Sequence, residues 1–429
     1  MPSALPDGDL VPEDGSLPSS ALERFATVRH RADDQSNEGC VAEDAGRPPF
    51  GIYLHVPFCT TRCGYCDFNT YTADELGEAP GASRASWSDG AIAELRLARR
   101  VVGDVEAPVS TVFVGGGTPT LLPPADLGRV LRAIDDEFGL APGAEVTTEA
   151  NPETLTPAVL TGLREAGFTR LSVGMQSARP HVLRVLDREH TPGRPEAAVV
   201  EAKRAGFEHV SLDLIYGTPG ESLDDWRASI DAALVAGPDH ISAYALIVEE
   251  GTRLAARIRR GELPMPDDDD LADKYIVADD AFSAAGFEWY EVSNWATAAA
   301  ARCEHNRIYW TGGDWWGIGP GAHSHVAGTR WWNVKHPAAW ASRLSGARSP
   351  AHAREVLDEE TRRVERVLLE VRLAEGLDVS VLDDGGRKAA QRAVDDGLAD
   401  RAALERGRVA LTQRGRLLAD AVVRDLLPA

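Results

Sequence analysis

YLHVPFCTTRCGYC, residues 53–66, joins a short β-rich run to a loop that carries three cysteines, Cys59, Cys63 and Cys66. The spacing C-x3-C-x2-C brings three thiolates together, close enough to hold three corners of a cubane cluster. A fourth ligand is missing, so one iron would stay open to a small molecule, as a position does in catalytic metal sites. Structural zinc with His55 as fourth ligand is the alternative. Such zinc sites usually assemble from two separated ligand pairs, which disfavours zinc here.

Around this loop, short β-rich runs alternate with amphipathic helices. One helix is predicted over residues 126–138, where apolar residues recur at helical spacing. The predicted strands are residues 51–55, 110–114, 145–149, 170–174, 210–215 and 240–246. Six β/α units in a row predict an α/β fold with a parallel sheet, closed or nearly closed.

The unusual loops all follow the C-terminal end of a predicted strand. Besides the cysteine loop they are GGGTP at 115–119, EANP at 149–152, GMQS at 174–177 and YGTPG at 216–220. In a β/α barrel this face holds the active site. We therefore expect these segments to converge on one pocket.

Composition divides the chain into four predicted parts. Residues 1–48 are rich in Pro, Gly, Ser and acidic residues and are expected to form a mobile leader in which nothing docks firmly. Residues 49–288 form the barrel, and residues 289–354 are an accessory segment with most of the tryptophans. Residues 355–429 are predicted to form a small helical or winged-helix-like C-terminal domain.

Charge and hydropathy exclude several classes of protein. The chain has 429 residues, of which 43% are hydrophobic, so it can bury a large core. A net charge of -22 repels phosphate backbones and argues against nucleic-acid binding. No apolar run is long enough for a transmembrane segment, and the N-terminus lacks the pattern of a signal peptide. The absence of these two patterns and the uneven spacing of the five cysteines together predict a cytoplasmic protein.

The residues around the cysteines resemble the radical SAM superfamily, named for S-adenosylmethionine (SAM). The motif YLHVPFC followed by Cys63 and Cys66 is most similar to the branch containing oxygen-independent coproporphyrinogen III oxidases and HemW-type haem chaperones. The resemblance runs from about Gly51 to the C-terminus. It implies a partial (β/α)6 radical SAM barrel and a [4Fe-4S] cluster whose open iron binds SAM. In that family the cluster reduces SAM to methionine and a 5'-deoxyadenosyl radical, which requires an electron donor.

The same resemblance implies the SAM-binding residues. Tyr53 would lie beside the cluster, and the backbone of Gly115, Gly116, Gly117 and Thr118 would contact the methionine moiety. The other matching positions are Glu149, Gln176, Arg188 and Asp213. Arg188 would pair with the methionine carboxylate, while Glu149 and Asp213 would accept from ribose hydroxyls or the amino group.

One position separates the two functions of the branch. Coproporphyrinogen oxidases extend the motif to C-x3-C-x2-C-x-C, whereas this chain has Phe68 in the last place. HemW-type chaperones have C-D-F there. Phe68 therefore argues against oxidative decarboxylation of coproporphyrinogen III, although the radical SAM site leaves open whether the protein is an enzyme.

A second motif, HNRIYW at 305–310, resembles the segment that HemW-type chaperones are thought to use for haem. Imidazole is a common axial ligand of haem iron, so His305 is the candidate ligand, with Tyr309 and Trp310 packed on the porphyrin. The alternatives are a hydrogen-bonded core histidine, or ligation by Cys303. Further pocket candidates are His323 and the tryptophans at 315, 316, 331 and 332, which would equally suit packing against the barrel.

The sequence thus predicts a haem chaperone that carries a SAM-coordinating [4Fe-4S] cluster and delivers haem to an acceptor apoprotein. A haem donor and an electron donor for the cluster are the other implied partners. The alternative is an oxygen-independent coproporphyrinogen III oxidase of porphyrin biosynthesis. A cluster protein that serves an unrelated radical reaction is the third reading.

Overall fold

The structure, a computed structural model, describes residues 7–35, 49–77 and 81–427, with residues 28–35 considered by their backbone alone. In these ranges no helix combines the length and the apolar character that crossing a membrane requires.

A single sheet of twelve strands dominates the described residues, in the spatial order β12-β11-β10-β9-β1-β2-β3-β4-β5-β6-β8-β7. Two short strands, β13 and β14, pair separately. The strands are β1 Phe50–Val56, β2 Val109–Gly116, β3 Leu140–Ala150, β4 Arg170–Gln176, β5 His209–Tyr216, β6 His240–Ala245, β7 Glu288–Glu291, β8 Asn294–Ala296, β9 Asp314–Ile318, β10 His323–Val326, β11 Thr329–Asn333, β12 Ala351–Val356, β13 Leu377–Asp378 and β14 Arg408–Val409.

The α-helices of the described residues cover the sheet and form most of the C-terminal part. They are α1 Ser19–Gln35, α2 Ala73–Leu76, α3 Arg84–Val102, α4 Pro124–Phe138, α5 Pro157–Ala166, α6 Pro180–Val185, α7 Arg194–Arg204, α8 Leu223–Ala236, α9 Arg253–Arg259, α10 Asp268–Ala284, α11 Glu304–Trp310, α12 Pro337–Ser345, α13 Glu359–Glu370, α14 Asp384–Asp395, α15 Arg401–Glu405, α16 Gln413–Leu417 and α17 Ala419–Leu426.

Strands β1 to β6 lie side by side in chain order and are all parallel. The predicted parallel sheet of six β/α units is therefore confirmed, and over the described residues β1 and β6 pair with β9 and β8 rather than with each other. Side chains alternate between its faces. On β3, Val146 belongs to the apolar core, whereas its neighbours Thr147 and Glu149 face the interior cavity.

Local signals in the sequence account for the flanking helices. The apolar stripe of α4 is buried as predicted, and burying each such side chain contributes roughly 1.5–3 kcal/mol. Helix α5 begins where the Thr156 side chain accepts a hydrogen bond from the Val159 amide and ends at Gly167 with a φ of 104°. A capping box at Ser222 starts α8.

The tryptophan-rich segment does not stand apart from the barrel, because its strands extend the same sheet at both edges. Strand β8 pairs antiparallel with β6, and β9 pairs parallel with β1 as a seventh parallel strand that the sequence did not predict. Of the four candidate tryptophans, Trp316, Trp331 and Trp332 are buried, and Trp315 is half-buried. Trp316 and Trp331 belong to the apolar core of the barrel.

Residues 9–27 of the N-terminal segment dock on the rest of the protein, contrary to the prediction that nothing in this segment docks firmly. Asp9 and Arg354 exchange two backbone hydrogen bonds of 2.7 and 3.0 Å. Phe25 of α1 is fully buried and packs edge to face on Phe50 at 5.5 Å. A few buried apolar anchors suffice here, although the composition of the whole segment is polar. Residues 36–48 of the predicted leader lie outside the described residues.

The C-terminal part, from α13 onward, has its own apolar core, as expected of a small helical domain. That core joins α13, α14 and α17 with the β13–β14 pair. This part ends in two short helices, α16 and α17, that meet at Leu418. Arg416 attaches this part to the barrel, because its guanidinium donates to Asp279 at 2.6 and 3.0 Å and lies over the Trp289 ring.

Candidate functional site

The cysteine loop follows β1 directly and is fixed by backbone hydrogen bonds. The Cys59 amide donates to the Tyr71 carbonyl at 3.0 Å. Gly64 donates to the Leu186 carbonyl at 2.9 Å and accepts from the Leu254 amide at 2.8 Å. The loop is thereby held between its own return segment and the residues beside α6 and α9. All three cysteines line one large cavity at the C-terminal ends of the parallel strands.

The environment of the three thiols combines burial with a few hydrogen-bond donors. Burial raises the pKa of Cys66 to about 11 and also raises the pKa of Cys59. The Phe68 amide donates to the Cys66 sulfur, and Arg188 Nη1 lies 3.7 Å from Cys63 Sγ. Since thiolates are the ligating form, a cluster bound here would displace protons from these thiols.

His55 does not serve as a fourth metal ligand in this arrangement. Its Nδ1 is hydrogen-bonded to the Tyr53 hydroxyl at 3.0 Å and its Nε2 to the Asn69 carbonyl at 2.9 Å. Burial lowers the pKa of His55 to about 4, so the ring is neutral. In the described residues no three His, Cys, Asp or Glu side chains converge on a single-ion position. A cubane suits the three cysteines better than zinc, because each thiolate there binds a different iron.

The glycine-rich loop after β2 packs directly against β1 and the cysteine loop. A Cβ on Gly116 would lie 2.6 Å from the His55 ring, and one on Gly117 would lie 2.5 Å from the Phe58 carbonyl oxygen. The amides of Gly117 and Thr118 donate to the carbonyls of Val56 and Phe58. Glycine is required here by the close approach of two backbone segments.

Two half-buried carboxyl groups line the same cavity. Glu149 accepts a hydrogen bond from the Gly116 amide at 3.0 Å, and the Ser172 hydroxyl lies 2.9 and 3.0 Å from the two carboxylate oxygens of Asp213, to which it donates its one proton. Burial raises the pKa of Glu149 to about 8, with a further contribution from Asp213. Burial also raises the pKa of Asp213. A cationic or hydroxyl-bearing ligand would offer both groups additional partners.

Six other polar side chains of the cavity wall keep buried atoms without a hydrogen-bond partner. Among these atoms are Gln176 Oε1, Arg188 Nε and His190 Nδ1. Gln176 also has a positive φ of 60°, and Arg188 Nη2 donates to the Gly174 carbonyl at 3.0 Å. Each unpaired buried polar group costs about 1–3 kcal/mol. A polar ligand of the kind of SAM fits this wall, because it would offer these groups hydrogen-bond partners.

Helix α11, which carries the HNRIYW motif, closes another part of the cavity. Tyr309 lines the cavity and accepts or donates a 2.8 Å hydrogen bond with His305 Nε2. His305 Nδ1 is bonded to Thr111 Oγ1 at 2.8 Å, and the ring stacks on Phe113. His305 is fully buried, and burial lowers its pKa to about 3.

This placement differs from the expectation of a free haem ligand at His305, which stays a prediction. Both ring nitrogens are already hydrogen-bonded, so neither is available to an iron in this arrangement. Trp310 is also outside the cavity lining, and its indole is hydrogen-bonded to Glu291. His323 is exposed, stacks on Trp332 and does not line the cavity either. In the structure, His305 is a hydrogen-bonded core histidine, which was the alternative to haem ligation.

Sequence reasoning missed the ion pair that anchors α11 to the sheet. Glu145 on β3 accepts hydrogen bonds from the amides of Glu304 and His305 at 3.1 and 3.0 Å and so caps the helix. Arg170 on β4 lies 3.9 Å from Glu145 and donates to the Ala301 carbonyl. The sequence of β3 did contain a signal that Glu145 faces the site, because Glu145 shares a strand face with Thr147 and Glu149.

The cavity has a volume of about 1180 Å³ and collects most of the predicted site. This exceeds the roughly 300–1,000 Å³ of a pocket for one small ligand. The predicted residues and further candidates that do not line it are Gly115, His305, Trp310, His323, Trp315, Trp316, Trp331 and Trp332. Those that do are Tyr53, Cys59, Cys63, Cys66, Gly116, Gly117, Thr118, Glu149, Gln176, Arg188, Asp213, Cys303 and Tyr309.

Comparison with known proteins gives consistent results. The family model of the radical SAM superfamily matches residues 53–233. The heme chaperone HemW of Mycobacterium tuberculosis is 56% identical over 380 residues, which cover 88% of this chain and 95% of the relative. The heme chaperone HemW of Synechocystis is 36% identical and covers 66% of this chain and 67% of its own length.

Among solved structures, the coproporphyrinogen III oxidase HemN of Escherichia coli superposes with a TM-score of 0.75. The superposition covers 96% of this chain and 94% of that protein at 20% sequence identity. At this identity the likeness concerns the fold alone.

Proposed function

Because the chain belongs to the radical SAM superfamily, and within it to the family of the heme chaperone HemW, we propose that it binds haem and delivers it to an acceptor apoprotein. The observation that carries the proposal is the 56% identity to a heme chaperone over nearly the whole of that relative. Phe68, at the place of the fourth cysteine of the oxidases, supports the same choice.

A SAM-coordinating [4Fe-4S] cluster is the proposed resident cofactor of the cavity. Cys59, Cys63 and Cys66 would hold the cluster, which would supply an open iron and an electron to SAM. The unpaired atoms of Gln176 and Arg188 would receive polar groups of SAM, and Glu149 would pair with its amino group. An electron donor to the cluster is then a necessary partner.

The role proposed for His305 is to position Tyr309. The His305 ring is held between Thr111 and the Tyr309 hydroxyl, and of the two side chains only Tyr309 lines the cavity. Tyr309 would therefore contact haem, with Trp310 supporting α11 from outside the cavity. Direct ligation by His305 would require the ring to leave both hydrogen bonds.

The main experiment tests haem binding and catalysis on one sample. The cluster is reconstituted without oxygen, and haem binding is measured by absorption titration. Coproporphyrinogen III, SAM and a reductant are then added, and porphyrin product is measured by fluorescence. Stoichiometric haem binding without product supports the chaperone, whereas turnover would establish the oxidase instead.

Matched variants separate the roles of the residues. Cys63→Ser should lose cluster iron, whereas Cys303→Ser, which alters a buried cysteine outside the cluster loop, should retain it. His305→Ala and Tyr309→Phe should weaken haem binding by similar factors and leave the shape of the haem absorption band unchanged. A spectral change confined to His305→Ala would show that His305 is an axial ligand.

The proposed setting is the cytoplasm, where reduced thiols favour an iron–sulfur site. The acceptor is an apoprotein that takes up haem, and a haem donor would precede it. Under this proposal the protein hands haem over intact, and the role of SAM cleavage in that transfer is separate from the haem-binding step.

A further inference from the structure

An unusual group of exposed apolar side chains lies on the wall of the cluster cavity. Phe68 is 57% exposed, Ile247 is 64% exposed and Tyr244 is 41% exposed, and all three line the cavity. Exposed large apolar residues that gather at a cavity, rather than scatter singly, mark a binding surface. We propose that these three residues, the rim surface, dock one face of the haem ring, an inference that rests on the haem-binding function proposed above.

The two loops that carry the rim surface are packed together from below. Phe68 belongs to the cysteine loop, and Ile247 follows β6. Beneath them a separate apolar cluster contains Leu246 and Leu254, with Tyr65 of the cysteine loop and Val248 packed against it. The rim surface therefore stands on a shared apolar support and is presented to a ligand in a fixed arrangement, which lowers the entropic cost of binding.

The backbone on either side of Phe68 is held firmly, so its exposure is not that of a loose loop. The Phe68 amide donates to the Cys66 sulfur, and its carbonyl accepts from the Thr70 amide at 2.7 Å. The next residue, Asn69, donates through Nδ2 to the carbonyls of Pro320 and Lys335 at 2.9 and 2.8 Å. The ring of Phe68 is thus fixed within two residues of a cluster ligand.

The cavity wall carries seven carboxyl residues and four arginines, and haem combines a flat apolar ring with two carboxylates. Arg184 is one of these arginines, is exposed and forms no ion pair among the described residues. A guanidinium is well suited to a propionate carboxylate. A porphyrinogen is not planar, so it matches the three apolar side chains of the rim surface less well.

The test compares rim variants with a matched exposed control. Phe68→Ala and Ile247→Ser remove apolar surface at the rim, whereas Val235→Ser removes it from a residue of α8 that is 88% exposed and outside the cavity lining. Each protein carries a reconstituted cluster and is titrated with haem and, separately, with metal-free protoporphyrin IX. Iron content, SAM binding and the thermal midpoint are measured on the same samples.

We expect each rim variant to bind both porphyrins about tenfold more weakly, a loss of about 1.4 kcal/mol, with iron content, SAM binding and thermal midpoint unchanged. Val235→Ser should bind as the wild type does. Unchanged porphyrin affinity in both rim variants would refute the proposed role of the rim surface. That role would also be refuted if the wild type binds haem but does not bind protoporphyrin IX. Absence of haem binding by the wild type itself would instead overturn the proposed function.

Discussion

Replacing Glu94 by Gln tests whether a buried carboxylate organises the segment next to the cluster loop. Glu94, on α3, is 1% exposed. Its Oε2 accepts hydrogen bonds from the Gly319 amide at 2.8 Å and the Trp340 indole at 2.7 Å, and its Oε1 accepts from Asn333 Nδ2 at 2.7 Å. All three partners are donors. An amide at this position must therefore turn its own NH2 group toward at least one of them.

The expected cost follows from the number of donors left without an acceptor. Asn333 Nδ2 keeps a second acceptor, the Gly319 carbonyl at 2.8 Å. Glu94→Gln should therefore cost the equivalent of about one buried donor, roughly 1–3 kcal/mol at pH 8. Glu94→Ala leaves both the Gly319 amide and the Trp340 indole unpaired and should cost roughly 2–6 kcal/mol. The total stability of a domain is about 5–15 kcal/mol, so the Ala variant approaches unfolding.

The assay is urea unfolding of cluster-free protein followed by tryptophan fluorescence. Burial raises the pKa of Glu94 to about 7, from an ordinary value of 4.5. The folded state then holds the proton more tightly than the unfolded state, so wild-type stability relative to Glu94→Gln should fall as pH rises from about 4.5 to about 7. A difference in stability between wild type and Glu94→Gln that does not change with pH would refute this account of Glu94.

Three further predictions address the cavity, the cluster loop and the N-terminal helix. SAM affinity should rise from pH 7 to pH 9, because the pKa of Glu149 is raised to about 8 and its ionised form pairs with the SAM ammonium; binding titrations of Glu149→Gln should lack this rise. Asn69→Ala removes two hydrogen bonds that brace the cysteine loop, so the reconstituted protein should lose iron faster during desalting, and equal retention would contradict the bracing role. Phe25→Ala should cost about 3–5 kcal/mol in urea unfolding, whereas Leu10→Ala, at a 90% exposed residue, should change stability by less than about 0.5 kcal/mol.

The parallel core of the fold could be predicted because its signals are local. Each strand from β1 to β6 is a short apolar run, and helix starts such as that of α5 carry a capping threonine followed by proline. The pairing of β9 with β1 has no such signal, because it joins residues about 260 positions apart and neither strand encodes its partner. The docking of α1 escaped prediction for the same reason, since the partner of Phe25 is distant in the chain.

In the candidate site, too, the residues placed by local signals could be predicted and those placed by long-range contacts could not. Glu149 and Gln176 lie at the ends of β3 and β4 and Asp213 lies within β5, so topology alone brings them to one cavity. His305 differs, because its surroundings are set by Thr111 on β2 and by Glu145 on β3, far away in sequence. A motif identifies which residue matters. Whether its ring faces a cavity or a hydrogen-bonded pocket depends on contacts that only the folded chain contains.

The contacts of Phe68 give a physical reason why a haem-binding protein would retain a cluster. Its ring lies on the wall that we propose for haem, and its amide donates to the sulfur of Cys66. Hydrogen bonds to cysteine sulfurs are among the factors that set the reduction potential of an iron–sulfur cluster. A porphyrin that packs on the Phe68 ring would therefore contact the same residue whose amide would influence the reduction potential of the cluster. Under the proposed function, haem loading and the redox state of the cluster would be coupled through Phe68, and a cysteine at this position would replace that apolar contact with a thiol.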